Sequence, residues 1–158
     1  MVAGVEETSS VLLVGEDNPY GQDPRFALFH KPRHASGNRL RQHLGLRDAT
    51  YEKLSKINLC TEKWDLREAR IRAGVRLNST YHPYLRVIVL LGAKVRSAFS
   101  LEKTEFFGVT SIPDVKPVLV VLPHPSGRNL LWNQPGARAS ARGVLKFAAP
   151  WVPWGEID

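Results

Sequence analysis

The sequence contains a single cysteine, Cys60, among its 158 residues. One cysteine cannot form an internal disulfide bond, and it excludes zinc or iron–sulfur sites that are built from cysteine ligands. No apolar run approaches the roughly 20 residues that cross a membrane, and the first ten residues are acidic and polar, unlike a signal peptide. We therefore expect a protein of the reducing cytoplasm that has no membrane partner.

Sequence motifs for bound cofactors are also absent. Neither the Gly-x-Gly-x-x-Gly fingerprint nor the Walker phosphate loop occurs, so no cofactor is expected. His30 and His34 are four residues apart, but they belong to a proline-containing loop without clustered acidic residues, so no metal site is predicted. Ser126 lacks the flanking glycines of a nucleophile elbow, which argues against a serine hydrolase.

Acidic residues are outnumbered by basic ones, 15 to 22, which gives a formal net charge of +7. Many cationic proteins bind no nucleic acid, but a positive surface does supply the affinity for phosphate that a DNA-binding protein needs. Arginine provides most of the basic residues, which favours bidentate contacts with phosphate.

Short apolar runs alternate with helical periodicity, a pattern that predicts an α/β fold with three α/β/α layers around a central four-stranded parallel sheet. The predicted strands are Val11–Val14, Ile57–Cys60, Val87–Leu91 and Val118–Leu122. The predicted helices are Ser36–Gly45, Asp48–Leu54, Asp65–Leu77, Ala93–Phe99 and Ala137–Ala148. We expect one domain over residues 1–158, with residues 1–9 flexible and residues 149–158 forming an extended tail.

Helix start signals accompany three of these segments. Ser36 and Asp48 are residue types that cap helices, and we expect each to cap the helix that it begins. Asp65 and Glu68 have the spacing of a capping box at the start of the third helix.

Two polar loops each follow a predicted strand. The sequence after Val118–Leu122 is Pro-His-Pro-Ser-Gly-Arg-Asn, which holds His124 between two prolines. The sequence after Val11–Val14 is Gly-Glu-Asp-Asn-Pro-Tyr, which carries Asp17 and Asn18. Since open α/β sheets bind ligands beyond the carboxyl ends of their strands, we expect the two loops to converge on one site. Each loop alone is also compatible with an ordinary turn.

Taken together, the loops resemble motifs of the uracil-DNA glycosylase superfamily. There, the first strand is followed by glycine and Asp-Pro-Tyr or Asn-Pro-Gly, and the fourth by His-Pro-Ser or a close relative. The segment 86–93, Arg-Val-Ile-Val-Leu-Leu-Gly-Ala, resembles the third strand and the beginning of the next helix. The resemblance covers about 11–148. It implies a DNA glycosylase that hydrolyses the N-glycosidic bond of a flipped uracil or modified base without metal or cofactor.

The resemblance implies catalytic roles for three residues. Such an enzyme holds a water beneath the sugar and stabilises the negative charge that develops on the departing base. Asn18 matches the asparagine that holds the water, whereas Asp17 is the alternative, as a general base with Asn18 inserted after it. His124 matches the histidine that donates from a neutral imidazole to a base oxygen.

The resemblance also implies base-binding residues. Phe29 lies close to the position of the aromatic ring that stacks on the base, with Phe26 as its competitor. Tyr20 corresponds to the ring that blocks the methyl group of thymine. Asn58 resembles the asparagine that reads the base edge, since a carboxamide offers both a donor and an acceptor. In the ordinary structural alternatives, the phenylalanines belong to the core and Asn58 satisfies a neighbouring loop.

DNA contacts are implied for the remainder of the second loop. Ser126 and Gly127 resemble the part of the motif that holds phosphate, and Asn129 is a further polar residue able to face a polyanion. Arg128 stands where the superfamily often has an apolar wedge that fills the space of the flipped nucleotide. The alternative wedges are Leu130, Leu131 and Trp132.

Three functions thus remain open at the level of sequence. The first is a monomeric glycosylase that acts on single- or double-stranded DNA in a bacterial or viral setting. Uracil is its default substrate, and a modified base is the alternative because Glu16-Asp17-Asn18 departs from the usual motif. The second is a protein of the same fold that binds DNA or a base but has lost efficient hydrolysis. The third is a nucleoside hydrolase or an unrelated α/β enzyme.

Overall fold

A computed structural model describes residues 10–17, 27–29, 35–78 and 80–155 of the chain. Several expectations from the sequence concern residues outside these ranges. They are the water-holding role of Asn18, the pocket role of Tyr20, the alternative base platform Phe26 and the flexibility of residues 1–9.

A five-stranded mixed sheet forms the centre of the fold. Its strands are β1 Val11–Asp17, β2 Ser55–Cys60, β3 Val87–Leu91, β4 Gly108–Ser111 and β5 Val118–Leu122. Their order across the sheet is β2-β1-β3-β5-β4. All pairs are parallel except β4–β5, which is antiparallel. The α/β class is therefore confirmed and the four predicted strands are present, but the expectation of a wholly parallel four-stranded sheet is wrong.

The additional strand, β4, has little signal in the sequence. Its four residues, Gly-Val-Thr-Ser, alternate between half-buried and exposed positions, so it lacks the continuous apolar run of a central strand. It lies at the edge of the sheet and is positioned by its ladder with β5, in which Val109 faces Val120. A short edge strand of this kind is determined by tertiary pairing more than by its own composition.

Helices flank both faces of the sheet. They are α1 Ser36–Leu44, α2 Asp48–Lys53, α3 Leu66–Leu77, α4 Ala93–Ala98 and α5 Ala137–Ala148, with a 3₁₀ turn at Leu130–Asn133. Helices α1, α2 and α5 pack on one face, and α3 and α4 on the other. Both faces of the central strands are thereby buried, which explains their unbroken apolar sequences. Within the described ranges, no helix combines the length and apolarity needed to span a membrane.

The helix starts agree only in part with the capping signals. Asp65 caps α3 as predicted, since its carboxylate accepts from the backbone N–H groups of Arg67 and Glu68 at 2.9 and 3.2 Å. The expectation that Ser36 and Asp48 are caps is wrong, because both are already helical and the residue before each has no side-chain capping bond. A one-residue displacement of this size is common at helix ends.

The described part of the tail packs against the end of α1. Val152 and Trp154 are buried, and the Trp154 indole N–H donates to the carbonyl of Ala149 at 2.9 Å. The Gly155 N–H donates to the Leu44 carbonyl, also at 2.9 Å. The C-terminal segment thus covers the core beside α1.

Candidate active site

A cavity of about 240 Å³ opens at the carboxyl ends of β1, β2 and β5. It combines polar residues from the strand ends with residues from a short turn and the start of α1. The lining residues are Glu16, Asp17, Leu28, Phe29, Ala35, Ser36, Gly37, Asn58, His124 and Ser126. Five residues with a predicted role are among them: Asp17, Phe29, Asn58, His124 and Ser126.

The cavity lies at the point where the strand order of the sheet reverses direction. From β1 the chain first adds β2 on one side and then β3 on the other, which creates the kind of crevice that binds ligands in α/β folds. Gly92 follows β3, between the loops of β1 and β5, and has φ +102°. A Cβ atom at Gly92 would lie 3.1 Å from the Cβ of His124 and 3.4 Å from Oε2 of Glu16. Glycine at this position lets the two loops approach each other.

His124 is held in one tautomer by its own loop. The backbone N–H of Ser126 donates to Nδ1 at 3.0 Å, so Nδ1 carries a lone pair and the proton of the neutral ring is on Nε2. Nε2 lies 4.0 Å from Oε1 of Glu16, another residue of the cavity wall. The Trp132 indole N–H donates to the carbonyls of Pro123 and His124 at 3.2 and 3.1 Å, which anchors the backbone. The imidazole therefore offers one fixed N–H donor.

Asn58 contributes an unsatisfied amide. Its partner in the parallel ladder is Gly15, and a Cβ atom there would overlap Oδ1 of Asn58. The Nδ2 atom is buried and makes no hydrogen bond within the described residues. Leaving such a donor unpaired costs about 1–3 kcal/mol. An acceptor on a ligand in the cavity would recover this cost.

Phe29 lies at the cavity wall, and contacts to the backbone of Leu28 and Phe29 hold it there. The Tyr51 hydroxyl donates to the Leu28 carbonyl at 2.7 Å, and Leu28 has φ +52°. Burial raises the pKa of Tyr51, which keeps the phenol protonated as a donor. A Cβ atom at Gly37 would overlap the carbonyls of Leu28 and Phe29, so α1 packs directly on this turn. Phe29 is half-buried and is not part of the sheet core.

The polar loop after His124 uses two of its predicted DNA contacts to hold itself together. Oγ of Ser126 accepts from the Arg128 backbone N–H at 3.1 Å. Oδ1 of Asn129 accepts from the Leu131 N–H at 3.1 Å and so caps the 3₁₀ turn. Gly127 and Arg128 are exposed beside the cavity and do not line it. DNA contacts of these four residues remain predictions.

The alternative wedges differ sharply in exposure. Leu130 is 71% exposed, Leu131 is half-buried and Trp132 is 6% exposed. Trp132 is also stacked on His43, with ring centroids 4.2 Å apart and an angle of 2° between the planes. Trp132 is therefore wrong as a wedge candidate, because its ring is buried against His43 and its N–H donates to the backbone of the His124 loop.

Two charged residues at the site have no predicted role. Glu16 is 19% exposed and supplies the carboxylate beside His124. Arg39 of α1 lies over Gly127, whose Cβ would come within 2.8 Å of its guanidinium carbon. The position of Glu16 directly before Asp17 was a usable signal in the sequence. Nothing local in the sequence relates Arg39 to Gly127, which lies far along the chain.

The described ranges contain no group of three or more histidine, cysteine, aspartate or glutamate residues able to hold a metal ion. No protein-family model matches this chain, and no curated protein matches its sequence.

Proposed function

We propose that this protein is a monofunctional DNA glycosylase that hydrolyses the N-glycosidic bond of a flipped uracil or modified base. The observation that carries the proposal is the convergence of Asp17, Phe29, Asn58, His124 and Ser126 on one cavity. These residues come from widely separated segments of the chain, and the sequence predicts that the two polar loops among them converge. Their meeting at the strand ends is what a shared site requires.

The size and polarity of the cavity suit a single heterocycle. Its volume of about 240 Å³ is below the roughly 300–1,000 Å³ that is usual for drug-sized ligands. A base placed there would have the ring of Phe29 as a stacking surface, the Asn58 amide for its edge and the Nε2–H of His124 for an oxygen. Because Nδ2 of Asn58 is buried and has no partner among the described residues, it supports a ligand that presents an acceptor.

In the proposed reaction the bond between C1′ and the base nitrogen breaks, and its electron pair leaves with the base. The Nε2–H of His124 stabilises the negative charge on the base oxygen as it develops. Asp17 offsets the positive sugar and accepts a proton from the water whose oxygen bonds to C1′. The departing base is later protonated by solvent. Asn18 is proposed to orient the same water.

The test is a panel of labelled oligonucleotides that each carry a different base, treated with the protein and then with alkali. Strand scission at one base, with turnover about 100-fold lower for His124→Ala, is the expected result. Asp17→Asn should also lower turnover, and His82→Ala, a histidine outside the cavity, is the matched control that should not. Tight binding of one base without scission by the wild-type protein would instead assign a base-binding function. Scission that is unaffected by His124→Ala would refute the proposed site.

A further inference from the structure

A second concave surface lies along α5, on the side of the helix that carries its basic residues. Arg138, Arg142 and Lys146 are spaced four residues apart, which places them on one side of the helix. Together with Trp132 and Gln134 they line an open groove of about 580 Å³, here named the α5 groove. Among the described residues, no acidic side chain lines the groove, and the three cations make no ion pair with a carboxylate.

The two arginines of the groove are held in place by the end of α1. Arg142 donates from Nε to the His43 carbonyl at 3.0 Å and from Nη2 to the Gln42 carbonyl at 3.1 Å. Arg138 donates from Nε to Nδ1 of His43 at 3.1 Å. Burial, together with Arg138, Arg39 and Arg142, lowers the pKa of His43 from 6.5 to about 4, so the ring stays neutral and accepts this bond. Cations fixed in this way are prepared for an anion, because little side-chain entropy is left to lose on binding.

The α5 groove is continuous with the loop that carries His124. His43 stacks on Trp132, whose indole N–H donates to the His124 carbonyl. Arg39, one turn before His43 on α1, lies over Gly127 of the same loop. A basic surface thus extends from the mouth of the cavity, over the contact between α1 and α5, and along α5.

We infer that the α5 groove binds the phosphate backbone of the nucleic acid strand whose base occupies the cavity. The identity of that strand rests on the proposed function. Cations about 6 Å apart along the helix suit a chain with regularly repeated charges. Arginine matches phosphate through its planar fork of donors. Phe147 is 76% exposed one turn after Gly143 of the groove, and exposed aromatic rings serve as stacking surfaces for unpaired bases. These features, with the continuity to the cavity, favour a nucleic acid over an acidic peptide.

The test measures binding of undamaged, fluorescein-labelled single-stranded and duplex oligonucleotides over a series of salt concentrations. The variant is Arg138→Ala combined with Lys146→Ala, which leaves the structural Arg142 in place. Its control is Arg67→Ala combined with Arg70→Ala, which removes the same charge from exposed positions on α3 at the opposite face of the sheet. Lys146→Ala alone is a milder variant, because the exposed Lys146 side chain makes no hydrogen bond to the described part of the chain. Thermal melting verifies that each variant is folded.

We expect the groove variant to reduce the slope of log K against log salt by about 2 on duplex DNA and somewhat less on single strands. Lys146→Ala alone should reduce it by about 1, and the α3 control should leave it unchanged. An equal reduction of the slope in the groove variant and in the α3 control would overturn the inference. Unchanged slopes in both variants would also overturn it, as would a wild-type protein that does not bind DNA. Displacement of the oligonucleotide by polyglutamate at equal charge concentration would overturn it in favour of a general anion surface.

The outcome separates this inference from the proposed function, because binding to undamaged DNA requires no base excision. A change in salt slope without scission of any oligonucleotide would retain the groove and reject the glycosylase. Scission with an unchanged salt slope would retain the glycosylase and reject the groove.

Discussion

Acid should destabilise this protein through His43, whose ring lies half-buried between Trp132 and Arg138. Its pKa is about 4 in the folded protein and 6.5 without these neighbours. Between the two values the unfolded chain binds a proton that the folded chain excludes. The stability contributed by the neutral ring is therefore complete above about pH 6.5 and is lost as the pH falls toward 4.

The size of the effect follows from the depth of the pKa shift and the exposure of the ring. Each pKa unit corresponds to about 1.4 kcal/mol. Because the ring is only half-buried, water screens the three arginines that contribute to the shift. We therefore expect the free energy of unfolding to fall by about 1 kcal/mol between pH 7 and pH 5 on account of His43 alone.

The assay is urea unfolding at pH 7, 6 and 5 for the wild-type protein and for His43→Phe. Phenylalanine keeps a flat ring for stacking on Trp132 but cannot titrate. Subtracting the free energies of unfolding of the two proteins at each pH therefore removes the contribution of the other titrating groups. Relative to His43→Phe, the wild-type protein should lose about 1 kcal/mol of unfolding free energy between pH 7 and pH 5. An NMR titration of the His43 ring with a midpoint near 6.5, or identical pH dependence in the two proteins, would refute the reasoning.

Two further predictions concern the cavity and its rim. Gly92→Ala should lower the free energy of unfolding by about 1–3 kcal/mol, because a Cβ atom at φ +102° is strained and presses on His124. Gly74→Ala is the control in α3, where the added Cβ has open space, and it should raise the free energy of unfolding by up to about 1 kcal/mol. Urea unfolding checks both, and equal effects would contradict the close approach at Gly92. If the proposed glycosylase is correct, Arg128→Ala should reduce excision from duplex DNA far more than from single strands, because only a duplex has a vacancy to fill. A larger duplex-specific loss in Leu130→Ala would show that Leu130 is the wedge.

Strands buried on both faces were predictable from the sequence, and the edge of the sheet was not. In β3 and β5 every side chain packs into the core on one face of the sheet or the other. Each strand is therefore a continuous apolar run, which is the pattern of a strand buried on both faces. β4 has one exposed face and only one neighbour. Its formation depends on hydrogen bonds to β5, which leave no pattern in its own four residues.

Candidate site residues were predictable where they belong to a strand end and were missed or misjudged where tertiary contacts decide. Asp17 is the last residue of β1 and His124 lies two residues after the end of β5, so the sheet brings them to one edge. Arg39 arrives from a helix that is distant in sequence from Gly127. Trp132 is apolar and follows the His124 loop, as a wedge would, but its indole N–H and ring have partners inside the fold. Apolarity alone does not distinguish a residue that enters DNA from one that supports the loop.

The approach of the polar groups in the cavity depends on glycines as much as on the polar residues themselves. A Cβ atom at Gly15 would overlap the Asn58 amide, and one at Gly92 would press on His124 and touch Glu16. Gly15 follows the apolar half of β1, and Gly92 directly follows the apolar strand β3. The backbone thus leaves space for the side chains of the neighbouring strand β2 and of the loop after β5. These glycines therefore belong to the candidate site as much as its polar side chains do, because a side chain at either position would force Asn58 or His124 to move.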